Sequence, residues 1–517
     1  MKRYSLVAGI LLLWGAIPAS AHFVYIVPDG AAGVAVVLSE NLEPDPNVGT
    51  DRFADTKLQV RDSQGQDEPI TLTKAEDCFK AAVPGKGPRI VFGRSELGVL
   101  ARGTGKPLLL GPVPAEARTL GKVTPVEIVP VGAVPQLRFQ VLSQGKPAAG
   151  IDVSILTPSD KSEKVVTDDK GLTPVVSEAG RYAVWARIVE AKPGELGGKK
   201  YEEIRHYPTL VCDAPEFSPL PKGVSSFGAI AADGYLYVYG GHAGKTHSYD
   251  TQSVLGTFHR LKLSPGATWE TLPGGPILQG MNLAAHGGKI YRVGGMTPKN
   301  APGEPADNHS ISDAAYFDTA SGQWQELPPL PAPRSSHELL VAGDKLVVVG
   351  GWQLRGHDEK PVWHDTALIL DLAAKTPKWQ SIPQPFVRRA LTGAAVGSRV
   401  YVLGGLGTEG MYPRTDILDL DTGTWSRGPD LPGGDRVGFS PAAGVLEGRV
   451  IVNTSAGPVY RLNSQGNAWD TVGEAKIRRM VHRLVPHSSN SVLLIGGANR
   501  TVGNVAEIER VSLSKND

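Results

Sequence analysis

The first candidate site is a set of arginines that keep their place relative to a repeated Gly-Gly pair. Each stands 15 to 18 residues before the Gly-Gly position of its repeat, and the four are Arg334, Arg388, Arg436 and Arg479. A guanidinium is a planar fork of donors that matches carboxylates and phosphates. The shared spacing predicts that all four lie on one face of the molecule. With His337 and His364 they would form the mouth of a binding site for a glycan, a small anion or a protein ligand.

The second candidate site is the histidine that follows the first 21 residues. Residues 1–21 begin with two basic residues, continue with an apolar run and end in Ala-Ser-Ala, which is the pattern of a cleaved secretory signal. Cleavage after Ala21 would make His22 the mature N-terminus, where its amine and imidazole could chelate copper or nickel. His206 is the other histidine before the repeats and could complete the site. The alternative is that His22 merely follows a cleavage site and that His206 caps a strand.

Composition narrows the functional class. The chain has 517 residues and a formal net charge of +1, with both signs mixed along it, so a nucleic-acid partner is not expected. After residue 21 there is no run of 18 apolar residues, which predicts a mature protein without a membrane span, secreted or periplasmic. In an oxidising compartment Cys78 and Cys212 could form a disulfide; the alternative is two buried thiols.

The arginines belong to a sequence repeat, and the fold of this repeat must position them. Each copy is a β-rich run that ends in Gly-Gly. The first four pairs start at residues 240, 294, 350 and 404, in steps of 54, 56 and 54, and a last pair starts at 496. A worn copy between them, in which Asn453-Thr454 replaces the glycines, brings the number to six. Short β-rich runs separated by Gly, Asp and Pro turns predict antiparallel strands. Four such strands per repeat predict the blades of a propeller.

These copies resemble kelch repeats, and residues 214–513 are similar to a six-bladed kelch β-propeller. Five Gly-Gly pairs match, as do the tryptophans Trp269, Trp324, Trp379, Trp425 and Trp469. The resemblance implies an all-β fold whose loops before the innermost strands and after Gly-Gly surround a central channel. It also implies an alternative for the arginines, because arginine at this place belongs to the kelch pattern and could serve only to bridge blades.

The sixth repeat lacks its outer strand, since the chain ends soon after the last Gly-Gly pair. The missing piece is predicted at residues 215–223, where Phe217 stands in the place of a tryptophan. We therefore expect this segment to be the outer strand of the sixth blade and to close the ring.

Residues 22–213 lack the repeat and are predicted to form two β-sandwich-like units, residues 22–117 and an immunoglobulin-like sandwich at 118–213. The segment resembles an exported bacterial family of uncertain role once described as nickel-uptake proteins. The resemblance rests on the histidine after the signal, a Gly-Lys-Pro hairpin, a Thr-Asp-x-x-Gly turn and a closing HYPTLVC.

Together these patterns predict an exported binding or interaction protein. One alternative is a sugar-active enzyme that resembles the sialic-acid mutarotases, which would need a general base. The carboxylates near the expected mouth are Glu338, Asp358, Glu359, Glu409 and Asp435. A copper oxidase similar to galactose oxidase is less favoured, because that chemistry needs a cysteine cross-linked to a tyrosine in the propeller and neither cysteine lies in the repeats.

Overall fold

A computed structural model of the chain divides it into two compact units, Met1–Ala214 and Pro215–Asp517. The described residues are 22–29, 33–62, 65–84, 89–96, 102–103, 108–110, 120, 124–196, 198–433, 436–500 and 503–514. The predicted signal peptide and the predicted boundary at residues 117 and 118 lie outside them. The only helix in these ranges is the 3-10 turn Thr50–Phe53. None of the described residues belongs to a helix long and apolar enough to span a membrane.

The N-terminal unit is built from β-sheets. One sheet orders the strands Phe23–Asp29, Gly33–Ser39, Phe79–Ala82 and Thr73–Lys74, and another orders Val126–Val131, Arg138–Ser143 and Lys146–Pro147. The largest sheet orders Ser162–Val166, Asp152–Leu156, Gly180–Ala186, Thr209–Ala214, Leu108–Leu110, Arg89–Glu96, Arg102–Gly103, Ile204–His206 and Ile188–Glu190, with Lys57–Arg61 and Asp67–Ile70 on a branch. A separate hairpin pairs Gly194–Leu196 with Lys199–Tyr201.

The largest sheet joins the two predicted N-terminal halves. Val211 of the second half pairs in parallel with Leu108 of the first, so backbone hydrogen bonds cross the predicted boundary. Three apolar cores lie within the described part of the unit, one around Phe53 and Val36, one around Phe139 and a small one of Ile90, Phe92 and Leu120.

The candidate disulfide is not formed. Cys78 and Cys212 are both buried and are not bonded to each other. Cys78 belongs to the core around Phe53, whereas Cys212 belongs to the core around Phe139. The structure therefore shows the alternative of two buried thiols, because each sulfur packs in a different core.

The C-terminal unit is a ring of six antiparallel sheets, the blades of a propeller. Blades one to five have four strands each: Gly228–Ala232, Tyr235–Tyr239, Phe258–Lys262 and Trp269–Leu272; Leu283–His286, Lys289–Val293, Ala314–Asp318 and Gln323–Leu327; Glu338–Ala342, Lys345–Val349, Thr366–Asp371 and Trp379–Pro383; Thr392–Val396, Arg399–Leu403, Thr415–Asp419 and Thr424–Arg427; Ala442–Leu446, Arg449–Asn453, Pro458–Leu462 and Trp469–Glu474. Blade six has three strands: Arg483–Ser488, Ser491–Ile495 and Ile508–Ser512. The innermost strands of successive blades contact one another, and that of blade six contacts that of blade one.

Four blades carry a short hairpin after the Gly-Gly pair. The hairpin strands are Met296–Pro298 with Asn308–Ser310 in blade two, Trp352–Gln353 with Val362–Trp363 in blade three, Leu406–Gly407 with Gly410–Met411 in blade four, and Ala498–Asn499 with Gly503–Asn504 in blade six. Apolar cores fill the space between neighbouring blades; the core between blades one and six includes Phe227, Leu236 and Leu493.

The repeated tryptophans join neighbouring blades through a recurring hydrogen bond. Each indole Nε1 donates to a proline carbonyl, over 2.7 to 3.0 Å. The pairs are Trp269 with Pro219, Trp324 with Pro273, Trp379 with Pro328, Trp425 with Pro383, and Trp469 with Pro429. The last four prolines end or follow the outer strand of the preceding blade. Blade one receives the equivalent carbonyl acceptor from Pro219, which lies in the segment before the blade.

Residues 215–223 contain no strand, in contrast to the prediction. Pro219 and Pro221 have no N–H to donate, which disfavours a strand ladder here. It packs along blades six and one instead: the Leu220 N–H donates to the Ala506 carbonyl at 2.8 Å, and the Phe217 side chain is 1 % exposed in the core between these blades.

Candidate functional site

A cavity of about 1360 Å³ opens at the mouth of the propeller. All six blades line it, through the residues before their innermost strands and the residues that follow the Gly-Gly positions. This is the face on which the arginine spacing predicted a ligand mouth. Of the predicted ligand residues, His337, Arg436 and Arg479 line the cavity, whereas Arg334, Arg388 and His364 do not.

A ring of backbone hydrogen bonds surrounds the channel at the mouth. One residue of each blade adopts positive φ there, and the six are Ser226, Gly280, Ser336, Ala390, Ser440 and Val481. Each N–H from Ser226 to Ser440 donates to the carbonyl of the corresponding residue in the preceding blade, over 2.6 to 3.0 Å. These hydrogen bonds fix the backbone at the rim of the cavity, and the side chains that line the cavity project from this backbone.

Three of the four predicted arginines hold their own blades together. Arg388 donates from Nη1 to the carbonyls of Gly404, at 2.6 Å, and Arg414, at 3.0 Å, and from Nη2 to the Asp416 carboxylate. Arg334 and Arg479 make the same pair of carbonyl contacts in blades three and six. These guanidinium groups tie the Gly-Gly turn to the third strand. Their role is therefore structural, and it acts within a blade rather than between blades.

Arg436 of blade five makes different contacts because its repeat lacks the Gly-Gly pair. Asn453, which replaces the first glycine, donates from Nδ2 to the carbonyls of Gly457, at 2.8 Å, and Pro458, at 3.0 Å. Gly457 stands directly before the third strand of blade five. In blades four and six, the carbonyl of the residue at this same position accepts a hydrogen bond from the repeat arginine. Asn453 thus takes over this contact, and Arg436 is exposed on the cavity wall.

Arg389, next to the structural Arg388, carries its charge into the cavity. Its guanidinium carbon lies 3.9 Å from the ring centroid of Trp352 and 6.0 Å from that of Trp363, the cross-strand pair of the blade-three hairpin. Within the described part of the chain its side chain has no hydrogen-bond partner, and its Nε is buried without one. Burial raises the pKa of Tyr249 in blade one, and the positive charge of Arg389 opposes that rise.

Charged side chains are concentrated on one side of the mouth, and the lining aromatic side chains other than Phe439 of blade five come from the other side. All six lining arginines come from blades four to six: Arg389, Arg436, Arg478, Arg479, Arg483 and Arg500. The lining histidines, tyrosine and tryptophan come from blades one to three: His242, His247, Tyr249, His337 and Trp352. The described lining residues include no Asp or Glu, and the predicted carboxylate Asp435 lies outside the described residues. A concave surface lined by one sign of charge concentrates its field and attracts the opposite charge.

A buried ion pair closes the floor of the cavity. Arg483 Nη1 of blade six lies 3.3 Å from Glu338 Oε2 of blade three, and Nη2 donates to the Met281 carbonyl at 2.8 Å. Asn282 Nδ2 donates to the other Glu338 oxygen at 2.7 Å. Glu338 is 1 % exposed and does not line the cavity. This candidate base is thus held by three blades beneath the mouth.

His337 and His364 are buried around Arg334. Burial, with the nearby charges of Arg334 and His364, lowers the pKa of His337 to about 3. Burial and Arg334 lower the pKa of His364 to about 4, and its Nε2 lies 3.0 Å from the Pro333 carbonyl. Both imidazoles are therefore neutral near pH 7 and add no charge to the mouth.

The candidate metal histidines contact different carboxylates. His22 Nε2 lies 2.6 Å from Asp45 Oδ2, and this hydrogen bond lowers the pKa of Asp45. His206 Nε2 lies 3.0 Å from Glu190 Oε2 on the neighbouring strand. No group of three or more His, Cys, Asp or Glu side chains among the described residues is arranged to hold a metal. Copper or nickel binding at His22 stays a prediction.

Sequence reasoning missed Arg389, Arg478 and Arg500 as cavity residues. Arg389 and Arg478 each adjoin a repeat arginine, and successive side chains of an extended chain point to opposite sides. When one arginine of such a pair faces the blade, its neighbour faces away. The adjacent arginines Arg388-Arg389 and Arg478-Arg479 were therefore the sequence feature that could have predicted the cavity residues. Arg500 follows the last Gly-Gly pair, in a loop of the kind already expected at the mouth.

The sequence of this chain is similar to those of kelch proteins. The chain is 22% identical over 277 residues to the Kelch-like protein terF of Aspergillus terreus, covering 51% of this chain and 59% of that one. It is 25% identical over 257 residues to Kelch repeat and BTB domain-containing protein 12 of Danio rerio, covering 45% and 39%. It is 23% identical over 308 residues to human Kelch domain-containing protein 1, covering 52% and 61%. The chain thus spans less than two thirds of each of these relatives.

Among solved structures, that of YjhT matches with a TM-score of 0.47 and 16% identity, covering 58% of this chain and 99% of that one. No family model matches the chain. The kelch relatives and the six-bladed ring confirm the kelch β-propeller and the all-β fold class.

Proposed function

We propose that this chain is an exported binding protein whose kelch propeller holds an anionic ligand in its mouth. The observation that carries the proposal is the guanidinium of Arg389, stacked on Trp352 without a hydrogen-bond partner among the described residues. A charged donor in this position is available to a carboxylate or phosphate, for which guanidinium geometry is suited. Export rests on the signal-like pattern of residues 1–21.

The surroundings of Arg389 support an anion rather than a neutral ligand. Arg436 and Arg478 are exposed on the same cavity wall, and no carboxylate among the described lining residues offsets them. Arginines whose charges are already paired would bind an added anion weakly; here the structural arginines Arg334, Arg388 and Arg479 are engaged elsewhere. The residues that carry the proposal are therefore Arg389, Arg436 and Arg478.

An enzymatic role of the mutarotase kind is less well supported. Such a reaction needs a general base within reach of the substrate. Glu338 is engaged by Arg483 and Asn282 below the cavity, and the described lining residues include no carboxylate. The copper-oxidase alternative lacks its cysteine, because both cysteines of the chain precede the propeller. Binding is therefore the function that we favour.

Calorimetric titration with a sugar acid tests the proposal. We expect glucuronate to bind saturably to the wild-type protein and glucose, which lacks the carboxylate, not to bind. Arg389→Gln should weaken glucuronate binding by about tenfold or more, the usual effect of losing a charge-assisted hydrogen bond. The matched control is Arg399→Gln, which removes the same charge from the same blade at the strand end away from the mouth. Equal binding of glucose and glucuronate, or equal loss in both variants, would contradict the proposal.

A further inference from the structure

The cavity is larger than one small ligand requires. Binding sites for single small molecules usually occupy roughly 300–1,000 Å³, whereas this one holds about 1360 Å³. A single sugar acid or inorganic anion would leave much of the mouth filled with water. The volume therefore favours a ligand of several linked units.

The positive charges are spread along the wall rather than gathered at one point. Arg389, Arg436 and Arg478 precede the innermost strands of blades four, five and six, three successive blades of the ring. Arg436, Arg478 and Arg500 are exposed, and none forms an ion pair within the described part of the chain. One carboxylate can satisfy one such guanidinium in a bidentate pair. The wall thus matches a ligand with several acidic groups along its length.

Blades one to three add aromatic rings to the cavity. Tyr249 and His242 of blade one lie with their ring centroids 4.8 Å apart, and Trp352 of blade three lies beneath the Arg389 guanidinium. Aromatic faces bury apolar surface when the ring of a ligand packs against them.

Free hydroxyl groups alternate around the rim between these walls. Ser226, Ser336 and Ser440 stand at the positive-φ position of blades one, three and five, and the same position holds Gly, Ala or Val in the other blades. All three line the cavity, and within the described residues their hydroxyls make no hydrogen bond. Sugars combine apolar ring faces with many hydroxyls, so they match both the aromatic wall and the serine rim. An acidic peptide without apolar side chains matches the arginine wall and can bond the serine hydroxyls, but it has no ring face for the aromatic wall.

We infer that the mouth binds an acidic oligosaccharide of at least two acidic sugar units. Its carboxylates face the arginines of blades four to six and its sugar rings face the aromatic wall of blades one to three. This inference rests on the proposed function and assigns the ligand class to the same site.

The test compares galacturonic acid with its linear trimer by calorimetric titration. The trimer should bind at least about tenfold more tightly than the monomer, because further carboxylates engage further arginines. The triple variant Arg436→Gln, Arg478→Gln, Arg500→Gln should weaken trimer binding at least about tenfold more than monomer binding, and so remove this gain. Arg389→Gln should weaken the binding of both ligands, and Arg399→Gln should weaken neither.

Two further ligands separate the alternatives. A trimer whose carboxylates have been reduced to alcohols should lose binding, and a linear tri-glutamate peptide should bind more weakly than the galacturonate trimer. Equal or tighter binding of the peptide would overturn the inference in favour of a protein partner. Monomer binding without a gain for the trimer would also overturn it while leaving the proposed function intact. Failure of every acidic ligand would contradict the proposed function itself.

Discussion

Arg483 of blade six and Glu338 of blade three meet at the propeller axis, with 3.3 Å between Nη1 and Oε2. The two blades stand opposite each other in a ring of six, so one ion pair spans the channel. Arg483 Nε also donates to the Phe227 carbonyl of blade one at 2.8 Å. The floor of the mouth is thus a polar plug that links four blades through two charged side chains.

Breaking this ion pair should destabilise the propeller. Removal of one partner of a buried pair leaves an uncompensated charge and typically costs about 3–5 kcal/mol. We expect Glu338→Gln and Arg483→Gln each to lower the free energy of unfolding by that order, and the double variant to cost clearly less than the sum. Chemical denaturation of the four proteins gives the coupling energy. Additive effects of the two substitutions would show that the pair does not act as a unit.

The adjacent Arg388 and Arg389 should separate stability from binding. Arg388→Ala removes a guanidinium bound to two carbonyls and to buried Asp416, so we expect a loss of about 3–5 kcal/mol in the free energy of unfolding. Arg389→Ala removes only a stacking contact within the chain and should cost about 1 kcal/mol or less. Denaturation curves and titrations with a sugar acid should therefore rank the two variants in opposite orders. The same ranking in both measurements would contradict the assignment of the two roles.

Acidification should weaken the propeller through its buried histidines. Burial holds the pKa of His337 at about 3 and that of His364 at about 4, whereas unfolded histidine titrates near ~6.5. Below about pH 6.5 the unfolded chain therefore binds protons that the folded chain does not, and the free energy of unfolding falls toward about pH 4. Each such histidine contributes up to about 1.4 kcal/mol per pH unit.

His337→Leu isolates the contribution of one histidine, since Leu391 occupies the corresponding position in blade four. Denaturation of both proteins at pH 7, 6 and 5 should show a shallower decline for the variant. Parallel declines would mean that His337 is protonated in the folded state or does not titrate in this range.

The segment before blade one should be needed to close the ring. Phe217 is buried between blades one and six, and truncation of a buried phenylalanine typically costs about 3–5 kcal/mol. We expect this loss for Phe217→Ala in thermal or chemical denaturation. Lys222→Ala, an exposed change in the same segment, should stay within about 0.5 kcal/mol of the wild type. A small effect of Phe217→Ala would mean that the segment is dispensable for closure.

The blade architecture could be predicted because glycine is favoured at the same position of most repeats. Gly351 has φ +93°, and a Cβ there would lie 2.8 Å from both the Ser335 carbonyl oxygen and the His337 Cβ. Five of the six repeats keep the Gly-Gly pair, which reveals the period. The prediction of a strand at residues 215–223 was wrong. The repeat spacing located the segment that closes the ring, but Pro219 and Pro221 disfavour a strand there.

The candidate site was harder to predict because spacing does not fix which way a side chain faces. The repeat period aligned Arg388 with its counterparts, but the residue that enters the cavity is its neighbour, set by the paired backbone hydrogen bonds between Arg389 and Leu406. Arg436 reaches the cavity wall for another reason, because Asn453 has taken the acceptor that arginine binds in other blades. These outcomes depend on contacts made elsewhere in the blade, and no single motif records them.

A crystal structure of the protein grown with the galacturonate trimer tests the central claim most directly. We predict a ligand carboxylate within about 2.7–2.9 Å of the Arg389 guanidinium, with sugar rings on the side of blades one to three. A trimer bound at another surface, or one held in the mouth without contact to Arg389, would contradict the account.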